Sequence, residues 1–266
     1  SFAPGNMLAL AFASLAALVA GLRVTPSTRA PRPRLEAPGS EEPTDGTALF
    51  ESPQWPALLS SLNRLPSFTV ANERGQPLEY EAPGGTPLAM FYADVQAAQA
   101  ELVDARKMYP ELDCGVIPVG VGTAFRLASE GKALLIPSAL ELEAAGAPAG
   151  SSPVGQQLPL FGCLEISRDG GPGRGPILPL FMSRSDALAA VRDAADATEG
   201  ESGAADDLDV MCISLDRAVE LLLTVEGTGF EFVPPSASLD FIDATIRSEG
   251  WDNSHAPSTA SASRDA

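Results

Sequence analysis

The hydrophobic pattern changes its period repeatedly along the chain, which predicts short strands and amphipathic helices joined by turns. In the first half, apolar runs typical of strands lie at 65–70, 87–91, 116–119 and 134–138, and helix-like spacing spans 94–108. Pro110 directly follows that helix and is expected to stop it. Alternation of strands with helices of this kind predicts an α/β protein.

The same order of patterns returns in the second half of the chain. Five matches follow one another, at 158–161, 177–181, 185 onwards, 212–225 and 230–236. Such ordered self-similarity predicts an internal duplication. We therefore expect two repeated halves, 65–145 and 158–248, each with the order β-β-α-β-α-β and a final helix. The expected arrangement is pseudo-two-fold, with apolar grooves at the junctions between the halves.

Spacing and composition also predict the limits of the folded body. The apolar spacing that begins at Trp55 predicts a docking helix from near Ser52, ahead of the first copy. The body is therefore expected to span 51–250. Residues 35–50 are rich in Pro, Gly and acidic residues and predict a flexible linker, and 251–266 predict a disordered tail.

The first 34 residues have the composition of a targeting leader. Residues 7–22 form an unbroken apolar run, typical of the central region of a secretory signal, although a retained signal anchor is the alternative. Residues 23–34 follow with four arginines, several prolines and hydroxyl residues, and no acidic residue. This transit-like stretch after a signal-like run predicts a bipartite leader over 1–34, as used by plastids with additional membranes.

Charge narrows the range of partners. The chain has 35 acidic and 17 basic residues, a formal charge of −18. This charge repels phosphate backbones and anionic lipids, so we expect no nucleic acid partner and at most a peripheral association with membranes. Its main effect is expected to be solubility.

The distribution of reactive side chains argues against an enzyme. The chain has one histidine, His255, and it lies in the predicted tail, away from any nucleophile or metal-ligand cluster. Cys114, Cys163 and Cys212 each lie in an apolar run, which favours buried and inert thiols over redox chemistry; one disulfide stays open as an alternative. We expect no catalytic residue, no metal site and no cofactor.

Two local patterns could still indicate chemistry. Residues 120–125 follow a strand and precede a helix, as a dinucleotide-binding loop does, but Phe125 replaces the third glycine. An ordinary strand-to-helix turn is the favoured interpretation. Asp113 and Asp209 lie at equivalent places in the two copies and could form an acid/base pair, but turn chemistry explains them better.

Repeated aromatic residues provide the candidate binding site. Phe68 and Phe161 mark equivalent strands, as do Phe91 and Phe181, and Phe232 lies in the closing strand of the second copy. Burial in the core is the simpler explanation for each of them. The alternative hypothesis is that they line an apolar groove that binds extended, basic and partly hydrophobic chains.

The chain resembles the Tic 22-kDa family, named for the translocon at the inner envelope of chloroplasts. The resemblance covers about 55–247 and is carried by several short motifs. These motifs are Pro66-Ser67-Phe68-Thr69-Val70-Ala71-Asn72 with Gly75 and Pro77, Tyr109-Pro110-Glu111-Leu112, Leu158-Pro159-Leu160-Phe161, Ile177-Leu178-Pro179-Leu180-Phe181 and Phe230-Glu231-Phe232-Val233-Pro234-Pro235. The loop at 170–175, the acidic insert at 196–207 and the leader differ from the family pattern.

The resemblance implies a peripheral protein without catalytic residues. It implies a chaperone-like factor of plastid protein import, with unfolded precursor proteins or translocon subunits as partners, in the intermembrane space of the envelope. One alternative is a structural or accessory subunit of a plastid membrane complex. A thiol-dependent enzyme is a third possibility, and it requires an accessible cysteine of low pKa.

Overall fold

The computed structural model describes residues 23–24, 47–81, 87–170, 175–197, 209–225 and 229–248. The predicted tail, most of the predicted leader and the acidic insert from 198 lie outside these residues. Within them the chain forms a mixed α/β fold with two main sheets. The predicted α/β class is therefore confirmed.

The chain enters the body through two helices ahead of the first sheet. Helix α1 (Thr47–Phe50) replaces the last part of the predicted linker 35–50, and helix α2 (Trp55–Leu62) is the predicted docking helix. Phe50 meets Trp55 edge to face, with ring centroids 4.7 Å apart. The prediction of a linker up to residue 50 is wrong because this aromatic contact draws the segment onto the core.

The first sheet contains strands β2 to β6. Their bounds are β2 (Pro66–Asn72), β3 (Glu79–Glu81), β4 (Pro87–Tyr92), β5 (Cys114–Gly120) and β6 (Ala133–Ile136). β2 runs antiparallel to β5 on one side and meets β4 at Phe68 and Tyr92 on the other. β4 also pairs antiparallel with β3 and parallel with β6.

The second sheet has strand order β10-β7-β9-β11. Its members and the short strands near it are β1 (Arg23–Val24), β7 (Pro159–Gly162), β8 (Ile166–Ser167), β9 (Ile177–Phe181), β10 (Met211–Ser214) and β11 (Gly229–Val233). β7 is antiparallel to β10 and to β9, and β9 is parallel to β11.

The two sheets share one strand order and one set of strand directions. β5-β2-β4-β6 in the first matches β10-β7-β9-β11 in the second. Each segment has one short strand more than the predicted order β-β-α-β-α-β, namely β3 and β8. The duplication and the pseudo-two-fold arrangement stay predictions.

Six further helices connect these strands or follow them. They are α3 (Val95–Met108), α4 (Val121–Ser129), α5 (Ala139–Ala144), α6 (Arg184–Ala197), α7 (Leu215–Thr224) and α8 (Ser236–Ser248). The predicted helix at 94–108 is confirmed, and its cap Asp94 accepts a hydrogen bond from the N–H of Gln96 at 2.8 Å. α6 begins before the predicted cap Ser185, since the hydroxyl of Ser183 accepts from the N–H of Asp186.

A central apolar cluster fills the space where the two segments meet. Residues of the second sheet and of α2, α4 and α7 form it, including Phe125, Leu160, Leu180 and Phe232, with Leu65 directly before β2 and the partly buried Leu135 of β6 packed beside them. Apolar grooves at the junctions stay a prediction. Because the second sheet carries apolar side chains on both faces, the face turned towards this cluster has to be covered by these helices.

Helices cover the outer faces of the sheets. α3 and α8 pack on the first sheet around Phe68, with the ring of Phe241 edge-on to Phe68 at 5.6 Å. α6 packs on the second sheet around Phe161 and Phe181. Thus α8, which follows the last strand of the second segment, crosses to the first sheet and ties the two segments together.

The helix pair α2 and α4 is joined by an unusually close approach. Gly120 and Gly122 lie at the start of α4, and a Cβ added to Gly120 would lie 2.5 Å from Oδ1 of Asn63. Oδ1 of Asn63 accepts from the N–H of Thr123 at 2.8 Å. Asn63 therefore caps α4 from another part of the chain, because Gly120 has no side chain to do so.

Replacing Asn63 by alanine is expected to lower the free energy of unfolding by about 1–2 kcal/mol, the usual cost of a lost helix cap. Urea denaturation measures this change. The control is Asn63→Asp, which keeps an acceptor oxygen at the positive end of α4 and should lose much less. Equal losses in the two variants would contradict the capping role.

A carboxylate of α5 caps the start of α6. Oε2 of Glu141 accepts from the N–H of Arg184 at 2.8 Å, and Oδ2 of Asp186 accepts from the N–H of Ser236 at the start of α8. Burial raises the pKa of Glu141, although the hydrogen bonds from Arg184 and Ser183 act in the opposite direction. The start of α6 thus connects three helices.

The raised pKa of Glu141 predicts a pH dependence of stability. The folded state favours the protonated acid, so this contribution is present below about pH 4.3, the ordinary value for glutamate, and is lost as the pH rises through the folded pKa. We therefore expect the free energy of unfolding of the wild type, relative to that of Glu141→Gln, to decrease as the pH rises through the folded pKa of Glu141. Parallel pH profiles of the two proteins in thermal unfolding would contradict this expectation.

Candidate functional site

The five phenylalanines proposed for a groove are core residues. Their side chains are at most 8% exposed. Phe161 and Phe181 face each other across β7 and β9, whereas Phe68, Phe91 and Phe232 belong to three other clusters. They do not line one shared groove, because helices cover each sheet face on which they lie.

The pairing register shows that Phe91 and Phe181 hold different positions within their matching strands. Phe161 pairs with Phe181, but its counterpart Phe68 pairs with Tyr92 and not with Phe91. A shift of one residue moves a side chain to the other face of a sheet. Phe91 accordingly packs on the α4 side with Ala124, while Tyr92 packs with Phe68 on the α3 side.

Exposed apolar side chains gather instead at the turn between α3 and β5. An open depression of about 440 Å³ is lined by Met108, Tyr109, Pro110, Glu111 and Leu112. Met108 is 69% exposed and Tyr109 is 56% exposed. Exposed apolar residues clustered in this way are typical of contact surfaces for other molecules.

The backbone of this turn is held in place by hydrogen bonds. The N–H of Tyr109 donates to the carbonyl of Ala105 at 2.8 Å, and the N–H of Leu112 donates to the carbonyl of Tyr109 at 3.0 Å. Below the turn, the guanidinium of Arg106 donates to the carbonyl of Cys114 at 2.8 Å. The backbone of the turn is therefore ordered, although the side chains of Met108 and Tyr109 remain exposed.

α3 itself is fixed to the sheet through a partly buried polar contact. The hydroxyl of Tyr80 in β3 donates to Oε1 of Glu101 at 2.6 Å. Burial, followed by the neighbouring Glu101 carboxylate, raises the pKa of Tyr80 and of Tyr92. Both phenols stay protonated at neutral pH, so this contact orients α3 and the turn that follows it.

The charges around the depression are acidic or already engaged. Glu111 is the charged residue of the lining. Lys107 pairs with Asp104 at 2.9 Å, and Arg106 is held by the backbone contact described above. An apolar surface with a carboxylate in its lining suits a ligand that carries both apolar and basic groups.

Sequence reasoning missed this site. The sequence analysis used Pro110 only as a helix stop, and it used Tyr109-Pro110-Glu111-Leu112 only as a family motif. The available signal was an aromatic and two aliphatic residues placed beyond the end of a helix, where polar turn residues are usual. Whether such residues are covered depends on elements distant in the chain.

The glycine-containing loop at 120–125 is an ordinary strand-to-helix turn. Asn63 occupies the N-terminal end of α4, where a dinucleotide phosphate would have to lie. A Cβ on Gly122 would come within 2.9 Å of the Leu59 side chain, so this glycine permits helix packing. The preferred interpretation from sequence is confirmed.

The two aspartates considered as an acid/base pair lie beside different sheets. Asp113 is exposed directly before β5, and Asp209 is exposed in the segment before β10. Their positions agree with the turn interpretation. In the stretches that the structure describes, no group of three or more His, Cys, Asp or Glu residues is arranged to hold a metal ion.

The three cysteines are free thiols. Cys114 and Cys163 are buried, and Cys212 is partly buried. Burial, followed by the hydrogen bond to Glu165, raises the pKa of Cys163 to about 12. Burial also raises the pKa of Cys212. A nucleophilic thiolate is therefore disfavoured at these two positions.

A thiol reagent is expected to modify Cys163 and Cys212 slowly in the native protein at pH 7.5, because both thiols are protonated and shielded. All three cysteines should react rapidly after unfolding in guanidinium chloride. Mass spectrometry of the labelled chain distinguishes the positions. Fast native labelling of Cys163 would contradict this expectation and revive the thiol-enzyme alternative.

None of the helices within the described ranges has the length and apolar character that a membrane crossing requires. No known protein family and no curated protein matches the chain by sequence. Solved structures do match it. Tic22 from Plasmodium falciparum is 18% identical with a TM-score of 0.59, over 72% of this chain and 98% of that one. The chain has the Tic22 fold.

A second structure supports this assignment. Anabaena Tic22, a protein transport protein, is 20% identical to this chain, and the two structures superpose with a TM-score of 0.55. The match covers 71% of this chain and 96% of Anabaena Tic22. Almost the whole of each Tic22 structure is thus matched. The fold suggested by the sequence motifs is thereby shown.

Proposed function

We propose that this chain is a non-enzymatic factor of protein translocation into plastids that holds unfolded precursor proteins. The observation that carries the proposal is the likeness to two Tic22 structures along nearly their full lengths. One of them, from Anabaena, is described as a protein transport protein. The proposed action needs no cofactor or catalytic residue.

The depression between α3 and β5 is the proposed contact site for precursors. Its exposed Met108 and Tyr109 offer an apolar surface. Met is an adaptable contact residue and Tyr combines an apolar ring with a polar tip, so neither demands one particular partner sequence. Such a surface fits weak binding of many extended chains.

The charge of the body complements the proposed clients. The whole chain has a formal charge of −18, which attracts basic segments, and Glu111 places a carboxylate in the lining itself. Plastid presequences of the transit type are rich in Arg and hydroxyl residues and poor in acids. Electrostatic attraction would speed their encounter with the depression and would weaken as salt is added.

The proposed location is the intermembrane space of the plastid envelope. Supporting this are the predicted leader over residues 1–34, with its apolar run and its arginine-rich stretch, and the resemblance to the Tic 22-kDa family. In that place the protein would meet precursors between one translocon and the next, peripheral to the membranes.

The test is binding of fluorescent transit peptides to the full chain. The double variant Met108→Ser/Tyr109→Ser should bind about tenfold more weakly or worse, because burial of each apolar side chain contributes about 1.5–3 kcal/mol. The matched control is Leu140→Ser, which removes an equally exposed apolar side chain from α5. That control should bind like the wild type.

Two outcomes would contradict the proposal. Unchanged affinity in the double variant would remove the depression as the contact site. Absence of any peptide binding, together with one stoichiometric partner in plastid extracts, would favour the structural or accessory subunit instead.

A further inference from the structure

The two main sheets end in edge strands that hold equivalent places, β5 in the first sheet and β10 in the second. β5 pairs with β2 and β10 pairs with β7, and among the described residues no strand pairs with the outer side of either. An open edge of this kind presents N–H and C=O groups that can pair with an extended chain. The two edges differ in the groups that each strand turns outward.

The hydrogen bonds at the end of each pair show which residues turn outward. The N–H of Val121 donates to the carbonyl of Leu65 at 2.9 Å, and the N–H of Leu215 donates to the carbonyl of Leu158 at 2.8 Å. In an antiparallel pair, hydrogen-bonded residues alternate with residues whose N–H and C=O point away from the partner strand. The third residue before each of these donors therefore faces outward in both edge strands.

The outward edge of β5 is blocked. Pro118 holds the outward position defined above, and proline has no N–H to offer. Cys114 also faces outward, and its carbonyl accepts from the guanidinium of Arg106 at 2.8 Å. Proline and cationic side chains are common means by which a sheet edge avoids pairing with another chain. A strand approaching β5 would find one donor missing and one acceptor already in use.

The outward edge of β10 contains no proline. Cys212 holds the place that Pro118 has in β5, so its N–H and C=O point away from β7. The neighbouring Met211 is 42% exposed and pairs with Gly162, which has no side chain. A strand laid along this edge would gain backbone hydrogen bonds at Cys212 and an apolar contact at Met211.

Charge favours a basic partner for this edge. Residues 158–248 contain 16 acidic and six basic residues, so the bases of this segment can neutralise fewer than half of its carboxylates. Burial raises the pKa of the Cys212 thiol, and the Glu141 carboxylate adds to this rise, which places an acidic group near the edge. The edge of β5 has Arg106 instead. A basic segment is therefore attracted to β10 and repelled from β5.

We propose that the outer edge of β10 is a strand-addition site for extended polypeptide segments in which apolar and basic residues alternate. Successive side chains of a strand point to opposite faces of the sheet. Apolar side chains of the bound segment would lie on the face of Met211, and its basic side chains on the face of Cys212 and Glu141. This edge is separate from the depression at 108–112, and the inference does not depend on that site.

Binding of a synthetic strand to the full chain tests the site. The probe is a fluorescent seven-residue peptide in which valine and arginine alternate. Cys212→Pro introduces the residue that blocks β5 and spares the pairing with β7, so it should weaken binding about tenfold. The matched control Cys212→Val keeps the N–H and should bind like the wild type. Equal affinities of Cys212→Pro and the wild type would overturn the proposal.

Backbone methylation of the peptide tests strand pairing without any change to the protein, so it holds even where Cys212→Pro does not fold. Two N-methyl groups on adjacent central residues block both edges of the peptide, whereas two on alternate residues leave one edge free to pair. The first peptide should bind the wild type about tenfold more weakly than the second. Equal affinity of these two peptides would contradict strand addition.

Two further measurements separate this edge from other sites and occupants. In the background of Met108→Ser/Tyr109→Ser, Cys212→Pro should still weaken binding about tenfold. Disappearance of that effect would overturn the proposal, because the peptide would then be using the depression. Sedimentation of the full chain should show no self-association that depends on Cys212. Self-association that Cys212→Pro abolishes would also overturn the proposal, since a second copy would then occupy the edge.

Discussion

The apolar cluster that joins helices α2 and α4 to the second sheet is the constraint on which the rest of the structure depends. The second sheet carries apolar side chains on both faces, and neither face could remain in water at acceptable cost. Trp55 and Leu62 of α2 and Phe125 of α4 enter the same cluster as Leu160 and Phe232 of the second sheet. The approach of α2 to α4 is possible only because the chain has glycines where Asn63 caps α4. The two segments are consequently joined by a shared core.

This core decides where binding can take place. Strand phenylalanines such as Phe68 and Phe161 are fully used in packing and are not available to clients. Apolar surface for a partner has to lie beyond the elements that cover the sheets, and the turn after α3 meets that condition. An apolar contact is tolerant of sequence, as the proposed binding of many precursors requires.

The sequence predicted those features that depend on neighbouring residues. The helix from Val95 to Met108 was predictable because Asp94 caps it and Pro110 follows its end. The α/β class and the order of the longer elements followed from periodicity. The four-residue helix at Thr47–Phe50 was missed, since so short a segment carries no period. The face on which Phe91 lies was not predictable, because Tyr92 is its neighbour and only the pairing with Phe68 distinguishes them. The exposure of Tyr109 depends on which surfaces the rest of the fold covers. The periodicity of the sequence carries no information on this.

Photo-crosslinking from position 109 during precursor import tests the central claim most directly. A photoreactive amino acid in place of Tyr109 in the full chain reports which molecules touch the depression while precursors cross. The account predicts crosslinks to several different precursors that appear with import and disappear when it is complete, and none from the same probe at Leu140. A crosslink to one resident protein that persists without precursor, or no crosslink from position 109 during active import, would contradict it.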